Sequence, residues 1–145
     1  MLTVVVKEPG KTAEIRNIET KDVLKTCQQL VGGYVEQVGI GPGVNILCNE
    51  DGLAMKLPDN CGFVGTLVFV QDRLVIDEYG DETYDWGSLS EENIHKAKAW
   101  CQRYEGAAHP NRSGKPRIIS GKEAISYREQ LTKIVHEKIA EWKSL

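Results

Sequence analysis

Residues 63–71 read Phe-Val-Gly-Thr-Leu-Val-Phe-Val-Gln, and this stretch decides the fold. β-Branched and aromatic residues dominate it, which favours a strand over a helix. Its nearly unbroken apolar character is typical of a strand that is covered on both faces, and therefore of the centre of a sheet. We expect residues 73–76 to extend this strand or to pair with it.

Shorter strands are expected before this stretch, each bounded by Gly, Pro, Asn or Asp: residues 2–7, 13–18, 34–40, 44–48 and 53–57. The last three of these lead into residues 63–71 as a meander. Between the second and third lies one short amphipathic helix, whose apolar residues from Val23 to Val31 recur at helical spacing. Thr20 is expected to be its N-cap, and Gly32 is expected to end it.

Two helices are expected after the sheet. Ser90 is the expected N-cap of the first, with Glu91 and Glu92 in its first turn. The second carries a long apolar stripe that extends nearly to residue 145: Ala124, Tyr127, Leu131, Ile134, Val135, Ile139 and Trp142. The prediction is an α+β fold in a single domain, residues 1–145. Residues 1–88 are mainly β with one helix, and residues 89–145 form a two-helix part.

Composition narrows the classes of function. The chain has 145 residues, of which 41% are hydrophobic and 27% charged, as is ordinary for a globular protein. A formal charge of −3 argues against general nucleic-acid binding. Residues 1–10 lack the pattern of a signal peptide, and no apolar run approaches the ~20 residues of a membrane span. We therefore expect a cytoplasmic protein with no membrane partner.

Residues 106–117, GAAHPNRSGKPR, separate the two predicted C-terminal helices. Gly106, Pro110, Gly114 and Pro116 forbid a continuous helix there, and no large apolar side chain is present to anchor the segment. We call it the basic loop, because it carries His, Arg and Lys. One interpretation is a mobile loop that closes over an anionic small molecule; the other is a solvated connector.

Residues typical of catalysis are scarce. The sequence has no GxSxG or HExxH motif, and its three histidines are not linked by any spacing. The four cysteines are widely spaced without a CxxC pair, so we expect buried thiols and no metal site. We therefore expect neither an enzyme nor a cofactor. An aromatic cluster of Tyr79, Tyr84 and Trp86 could stack a nucleotide base or could serve in packing, whereas Trp100 and Trp142 are assigned to packing.

The first half of the chain resembles the DUF3846 type of small protein. The residues that carry the resemblance are Val4-Val-Val-Lys-Glu-Pro-Gly10, Leu30-Val-Gly-Gly-Tyr-Val-Glu36, Cys48-Asn-Glu-Asp-Gly52 and Gly65-Thr-Leu-Val-Phe-Val70. The resemblance spans about the first 95 residues of the chain. It implies an origin in phages or mobile elements and implies no activity.

The second half is similar in architecture to the phage Thoeris anti-defence sponges. That resemblance implies a protein that sequesters a cyclic nucleotide immune signal without degrading it, of the cyclic ADP-ribose type and also cyclic oligonucleotides. It implies a homo-oligomer, a dimer or a hexamer, in the host cytoplasm. The positions that match the ligand-binding residues of that family are Tyr84 or Trp86, Asn93, Arg103, Arg112 and Arg117, with Lys56 as a weaker candidate. The alternative is an accessory protein-binding module of a phage or mobile element.

Overall fold

A computed structural model describes residues 1–110 and 121–145, the side chains of residues 121–132 excepted. Its strands are β1 (Leu2–Lys7), β2 (Glu14–Ile18), β3 (Val35–Gly41), β4 (Val44–Asn49), β5 (Asp59–Asn60), β6 (Phe63–Val64), β7 (Leu67–Ile76) and β8 (Glu82–Gly87). Its helices are α1 (Val23–Val31), α2 (Glu91–Arg103) and α3 (Gly121–Ser144). The predicted α+β class is confirmed: an antiparallel sheet carries one helix between its strands and two helices after them.

Strand β7 is the centre of the sheet. β4 pairs with one of its edges, from Val44↔Gln71 to Leu47↔Val68. On the other edge, β1 pairs with the first part of β7 and β8 pairs with the second part, so that β1 and β8 follow one another in line. The backbone N–H of Leu89 donates to the carbonyl oxygen of Thr3 at 2.9 Å and joins the two. The central strand predicted over residues 63–71 is confirmed from Leu67 onward, and residues 73–76 extend it; Phe63–Val64 belongs instead to β6, which pairs with β5 in a separate two-stranded sheet.

The two faces of β7 are covered by different helices. Leu67 and Phe69 point to the face that α2 and the end of α3 cover, and Val68 and Val70 point to the face that α1 covers. Trp100 and Trp142 pack on Phe69, with ring centroids 5.7 and 6.5 Å away. Both indoles are buried, so their assignment to packing is confirmed.

The helix ends test the predicted caps. Ser90 caps α2, because its Oγ accepts a hydrogen bond from the N–H of Asn93 at 3.2 Å. Gly32 ends α1 with φ 79°, and its N–H donates to the carbonyl oxygen of Gln28. The N-cap expected at Thr20 is wrong, since α1 begins after Asp22, which has φ 56° and makes no capping side-chain bond. The left-handed backbone of Asp22 therefore starts α1, and no side chain caps its first turn.

The strand predicted over residues 53–57 is also wrong. The Oδ1 atom of Asn49 accepts a hydrogen bond from the N–H of Asp51 at 2.8 Å and bends the chain directly after β4. Two backbone hydrogen bonds follow: the N–H of Met55 donates to the carbonyl oxygen of Asp51, four residues back, and the N–H of Leu57 donates to that of Gly52, five residues back. These turns use backbone groups that a strand would have paired, and they lead into the small hairpin of β5 and β6.

Candidate functional site

Of the three predicted aromatic residues, Tyr84 and Trp86 lie on β8, on the face that α1 covers, whereas Tyr79 lies exposed in the turn before β8. Trp86 is half-buried, packs against the core of that face and donates from Nε1 to Oε1 of Gln37 at 2.8 Å. Tyr84 pairs with Leu74 and leaves 72% of its surface exposed. Of the two residues, Tyr84 is therefore the one that offers an open ring face, whereas Trp86 has a structural role.

Asn93 lies on the opposite face of the sheet, in the first turn of α2. Its Nδ2 donates to Oε1 of Gln71 at 2.7 Å, and its Oδ1 accepts from Nε1 of Trp142 at 3.2 Å. Both ends of the amide are thus engaged in holding β7 and α3 together. Within one chain, the sheet separates Asn93 from Trp86.

Arg103 ends α2 and points toward α3, with its Nη1 3.2 Å from Oε1 of Glu141. The hydroxyl of Tyr104 donates to the same carboxylate oxygen, and this raises the pKa of Tyr104. Arg112 and Arg117 lie outside the described residues. The predicted site residues therefore do not converge within the described part of one chain, and their roles in binding stay a prediction.

The structure brings together a different group, which the sequence reasoning did not identify as a site. A cleft of about 660 Å³ lies between two parts of the chain: the end of β1 with the turn after it, and the second half of α2. Its lining residues are Lys7, Gly10, Lys11, Thr12, Ala13, Lys98, Cys101, Gln102 and Glu105. We call it the lysine cleft. One signal was available in the sequence, because Lys7 is a charged residue at the end of an apolar strand and Lys11-Thr12 follows the turn at Gly10.

The charges of the lysine cleft are mainly positive. Lys7 is only 1% exposed, and its ammonium group has two partners: Nζ lies 3.2 Å from Oε2 of Glu105 and donates to the carbonyl oxygen of Glu8 at 3.0 Å. Lys11 is exposed and forms an ion pair with Glu8. Lys98 is half-buried and forms no ion pair with any residue that the structure describes. Three lysines against Glu105 in the lining and Glu8 beside it leave an excess of one positive charge, which suits the cleft to an anion.

The basic loop begins at the rim of this cleft, directly after Glu105 and three residues beyond the end of α2. Its first described residues are tied to the β5–β6 hairpin. The N–H of Gly62 donates to the carbonyl oxygen of Ala107 at 3.0 Å, and the N–H of His109 lies 3.4 Å from Oδ1 of Asp59. The rest of the loop, residues 111–117, lies outside the described residues.

The four cysteines are buried free thiols, as expected. Burial raises the pKa of Cys27 and of Cys48 to about 11. Among the described residues, no group of three His, Cys, Asp or Glu side chains is placed to hold a metal ion. In the same part of the chain, no helix is both long and apolar enough to cross a membrane.

Comparison with curated proteins and with solved structures gives no match to this chain. A family model does match it, over residues 2–102, which take in the whole sheet, α1 and nearly all of α2. The matched part includes every residue that lines the lysine cleft except Glu105. The chain therefore belongs to the DUF3846 family, a domain of unknown function.

Proposed function

We propose that this protein binds and sequesters a small phosphate-containing signal, of the cyclic nucleotide class, without degrading it. The observation that carries the proposal is the lysine cleft, in which a buried and a half-buried lysine lie directly beside the start of the basic loop. The proposed ligands are cyclic ADP-ribose isomers and cyclic oligonucleotides.

The size and charge of the cleft support this class of ligand. Small-molecule sites commonly have volumes of about 300–1,000 Å³, and the cleft has about 660 Å³. Lys98 has an ammonium group free of ion pairs within the described residues, so a phosphate oxygen does not have to displace a protein carboxylate there. Arg112 and Arg117 follow on the basic loop and would add charge-assisted hydrogen bonds when the ligand is bound.

The positions of the aromatic residues favour a site shared between subunits. Tyr84 lies across the sheet from α2, so its ring would reach a ligand held near α2 only from a second copy of the chain. Apolar side chains available for such an assembly are exposed on the described part: Leu74, Ile76, Tyr84, Ile134 and Val135. We therefore propose a homo-oligomer, a dimer or a hexamer, in which the residues predicted for ligand binding come from more than one subunit.

The biological setting proposed is that of a phage or mobile-element protein in the host cytoplasm, acting against a defence system that uses nucleotide signals. This part rests on the similarity to the Thoeris anti-defence sponges. It is tested by producing the protein in a strain that carries such a defence system and challenging the strain with phage. Restored phage growth supports the setting; full protection in cells that contain the folded protein contradicts it.

A second candidate is an accessory module that binds another protein. The hairpin of β7 and β8 favours it, because Leu74 and Ile76 on β7 and Tyr84 on β8 are all exposed and lie on the same face. An apolar strip of this kind is typical of contact surfaces between proteins. If the strip binds another protein, replacing Leu74 and Ile76 by Gln would abolish that binding and leave the affinity for a nucleotide unchanged. If the strip forms the homo-oligomer, the same replacement would lower the affinity for the nucleotide as well.

Isothermal titration calorimetry against a panel of cyclic ADP-ribose isomers and cyclic dinucleotides tests the proposal. We expect at least one member to bind with a stoichiometry of one or one-half per chain. Heating the complex should then release that ligand chemically intact, as chromatography and mass spectrometry would show. Conversion of the ligand to a product would identify an enzyme instead, and absence of binding across the panel would refute this class of ligand.

A further inference from the structure

Two of the four thiols meet although they lie 40 positions apart in the sequence. Cys61 occupies the turn between β5 and β6, and Cys101 lies in the last part of α2. The Sγ of Cys61 donates to the backbone carbonyl oxygen of Cys101 at 3.5 Å, so the two cysteines are in direct contact. Both are buried, and Cys101 lines the lysine cleft, so a reagent in the cleft would meet the pair at Cys101.

The backbone at Cys61 is unusual for a cysteine. Cys61 has φ 51° and Gly62 has φ 82°, so both central residues of this two-residue hairpin turn are left-handed. Such a turn favours Asn, Asp or Gly, because a larger L-residue is strained there. Cysteine is therefore unfavourable for the backbone at position 61, and its thiol is the group that contacts α2.

The surroundings give the two thiols different acidities. The interaction between the two thiols lowers the pKa of Cys61, as does the Lys7 ammonium, whereas burial of Cys61 acts in the opposite direction. The same interaction and burial raise the pKa of Cys101. A more acidic thiol beside a less acidic one is the arrangement found in dithiols that exchange with disulfides, where the first attacks and the second resolves. Cys27 and Cys48, by contrast, have pKa values raised to about 11 with no cysteine partner among the causes.

We propose that Cys61 and Cys101 are a redox-active dithiol that is converted to an intramolecular disulfide by exchange with a low-molecular-weight disulfide such as oxidised glutathione. The Cys61 thiolate attacks one glutathione sulfur, and the other glutathione leaves as a thiol after taking up a proton. Cys101 then loses its proton and attacks Cys61, and the second glutathione leaves as a thiol. Two protein thiols are oxidised, and one glutathione disulfide is reduced to two glutathione molecules.

The disulfide would fasten the β5–β6 hairpin to α2 at the place where the basic loop begins, since the N–H of Gly62 is bonded to the carbonyl oxygen of Ala107. This redox role does not depend on the proposed nucleotide ligand. It applies to the protein whether it binds a nucleotide, another protein or neither.

The test uses the native full chain in buffers with increasing ratios of oxidised to reduced glutathione. Each sample is quenched with acid, alkylated in denaturant and analysed by intact mass and peptide mapping. We expect a cooperative loss of two of the four alkylatable thiols, a peptide cross-linked between Cys61 and Cys101, and full recovery of the thiols with dithiothreitol. Cys27 and Cys48 serve as internal controls and should stay alkylatable at every ratio.

A variant supplies the matched control. Cys61→Gly suits the left-handed turn, so it should fold, and it should form no intramolecular disulfide at any ratio. The proposal is overturned if the native protein keeps all four thiols under fully oxidising conditions. It is equally overturned if it stops at a glutathione adduct, or if Cys27 or Cys48 is cross-linked as readily as the proposed pair.

Discussion

Gly41 lies at the end of β3 where the indole ring of Trp142 packs against the backbone. A Cβ atom added to Gly41 would lie 2.6 Å from Cδ1 and 2.8 Å from Cδ2 of that ring, well inside van der Waals contact. Trp142 cannot easily give way, because it is 2% exposed, stacks on Phe69 and donates a hydrogen bond to Asn93. Replacing Gly41 by Ala should therefore push α3 away from the sheet.

The expected loss follows from these contacts. Overpacking costs about 1–3 kcal/mol when the neighbours can adjust, and complete loss of a buried aromatic costs about 3–5 kcal/mol. We expect Gly41→Ala to lower the free energy of unfolding by about 2–4 kcal/mol, between these limits. Urea unfolding followed by far-UV circular dichroism measures the change without relying on the fluorescence of the displaced Trp142.

Gly39→Ala is the matched control on the same strand. Its added Cβ would have Asn45 Oδ1 as nearest atom, at an ordinary 3.8 Å, so its effect should stay within about 0.5 kcal/mol. In a Trp142→Ala background, Gly41→Ala should lose most of its cost, because the ring that it strikes is gone. The reasoning is refuted if Gly41→Ala matches Gly39→Ala, or if its cost is unchanged without Trp142.

Three further outcomes are expected. The side chain of Asn60 donates to the carbonyl oxygens of Lys7 and Gly65, both at 2.8 Å. Asn60→Ala should therefore lower the free energy of unfolding in urea by about 1–3 kcal/mol for each buried carbonyl that it leaves unpaired. An effect as small as that of Asn17→Ala, at an exposed position, would contradict this. Tyr104→Phe should cost about 1 kcal/mol by removing the hydrogen bond to Glu141, and no loss in thermal unfolding would show that this bond does not hold α2 to α3. Arg112→Ala or Arg117→Ala should weaken ligand binding by about 1.5–3 kcal/mol, and this loss should shrink at high salt. The loss of affinity from Tyr84→Ala should hardly change with salt. The same salt dependence for all three variants would argue against a division into charged and stacking contacts.

Local signals in the sequence predicted the elements that local chemistry determines. Ser90 and Gly32 act at helix ends through their own hydrogen bonding and backbone freedom, so their roles were visible without tertiary context. The apolar run that leads into β7 required cover on both faces, which placed it at the centre of the sheet. By contrast, no strand was predicted over residues 82–87, and nothing in that sequence could reveal which helix covers which face of the sheet. The separation of Trp86 from Asn93 was therefore not predictable.

The lysine cleft shows a second limit. Lys7 is about 90 residues from Lys98 and Glu105 in the sequence, and only the packing of α2 against β1 brings them to one cleft. The close approach of Gly41 to Trp142 likewise depends on the docking of α3, so the sequence around position 41 could not indicate it. In both places the missing information concerned contacts between distant segments, which spacing along the chain does not contain.

Lys98 is the residue through which ligand binding at the lysine cleft is tested most directly. With the member of the nucleotide panel that binds best, calorimetry compares the native protein with Lys98→Gln and with Lys21→Gln, an equal change of charge at an exposed position before α1. Loss of one charge-assisted hydrogen bond should weaken binding to Lys98→Gln about tenfold or more, while Lys21→Gln should bind as the native protein does. Equal affinities of the two variants would place the ligand elsewhere and contradict the lysine cleft as its site.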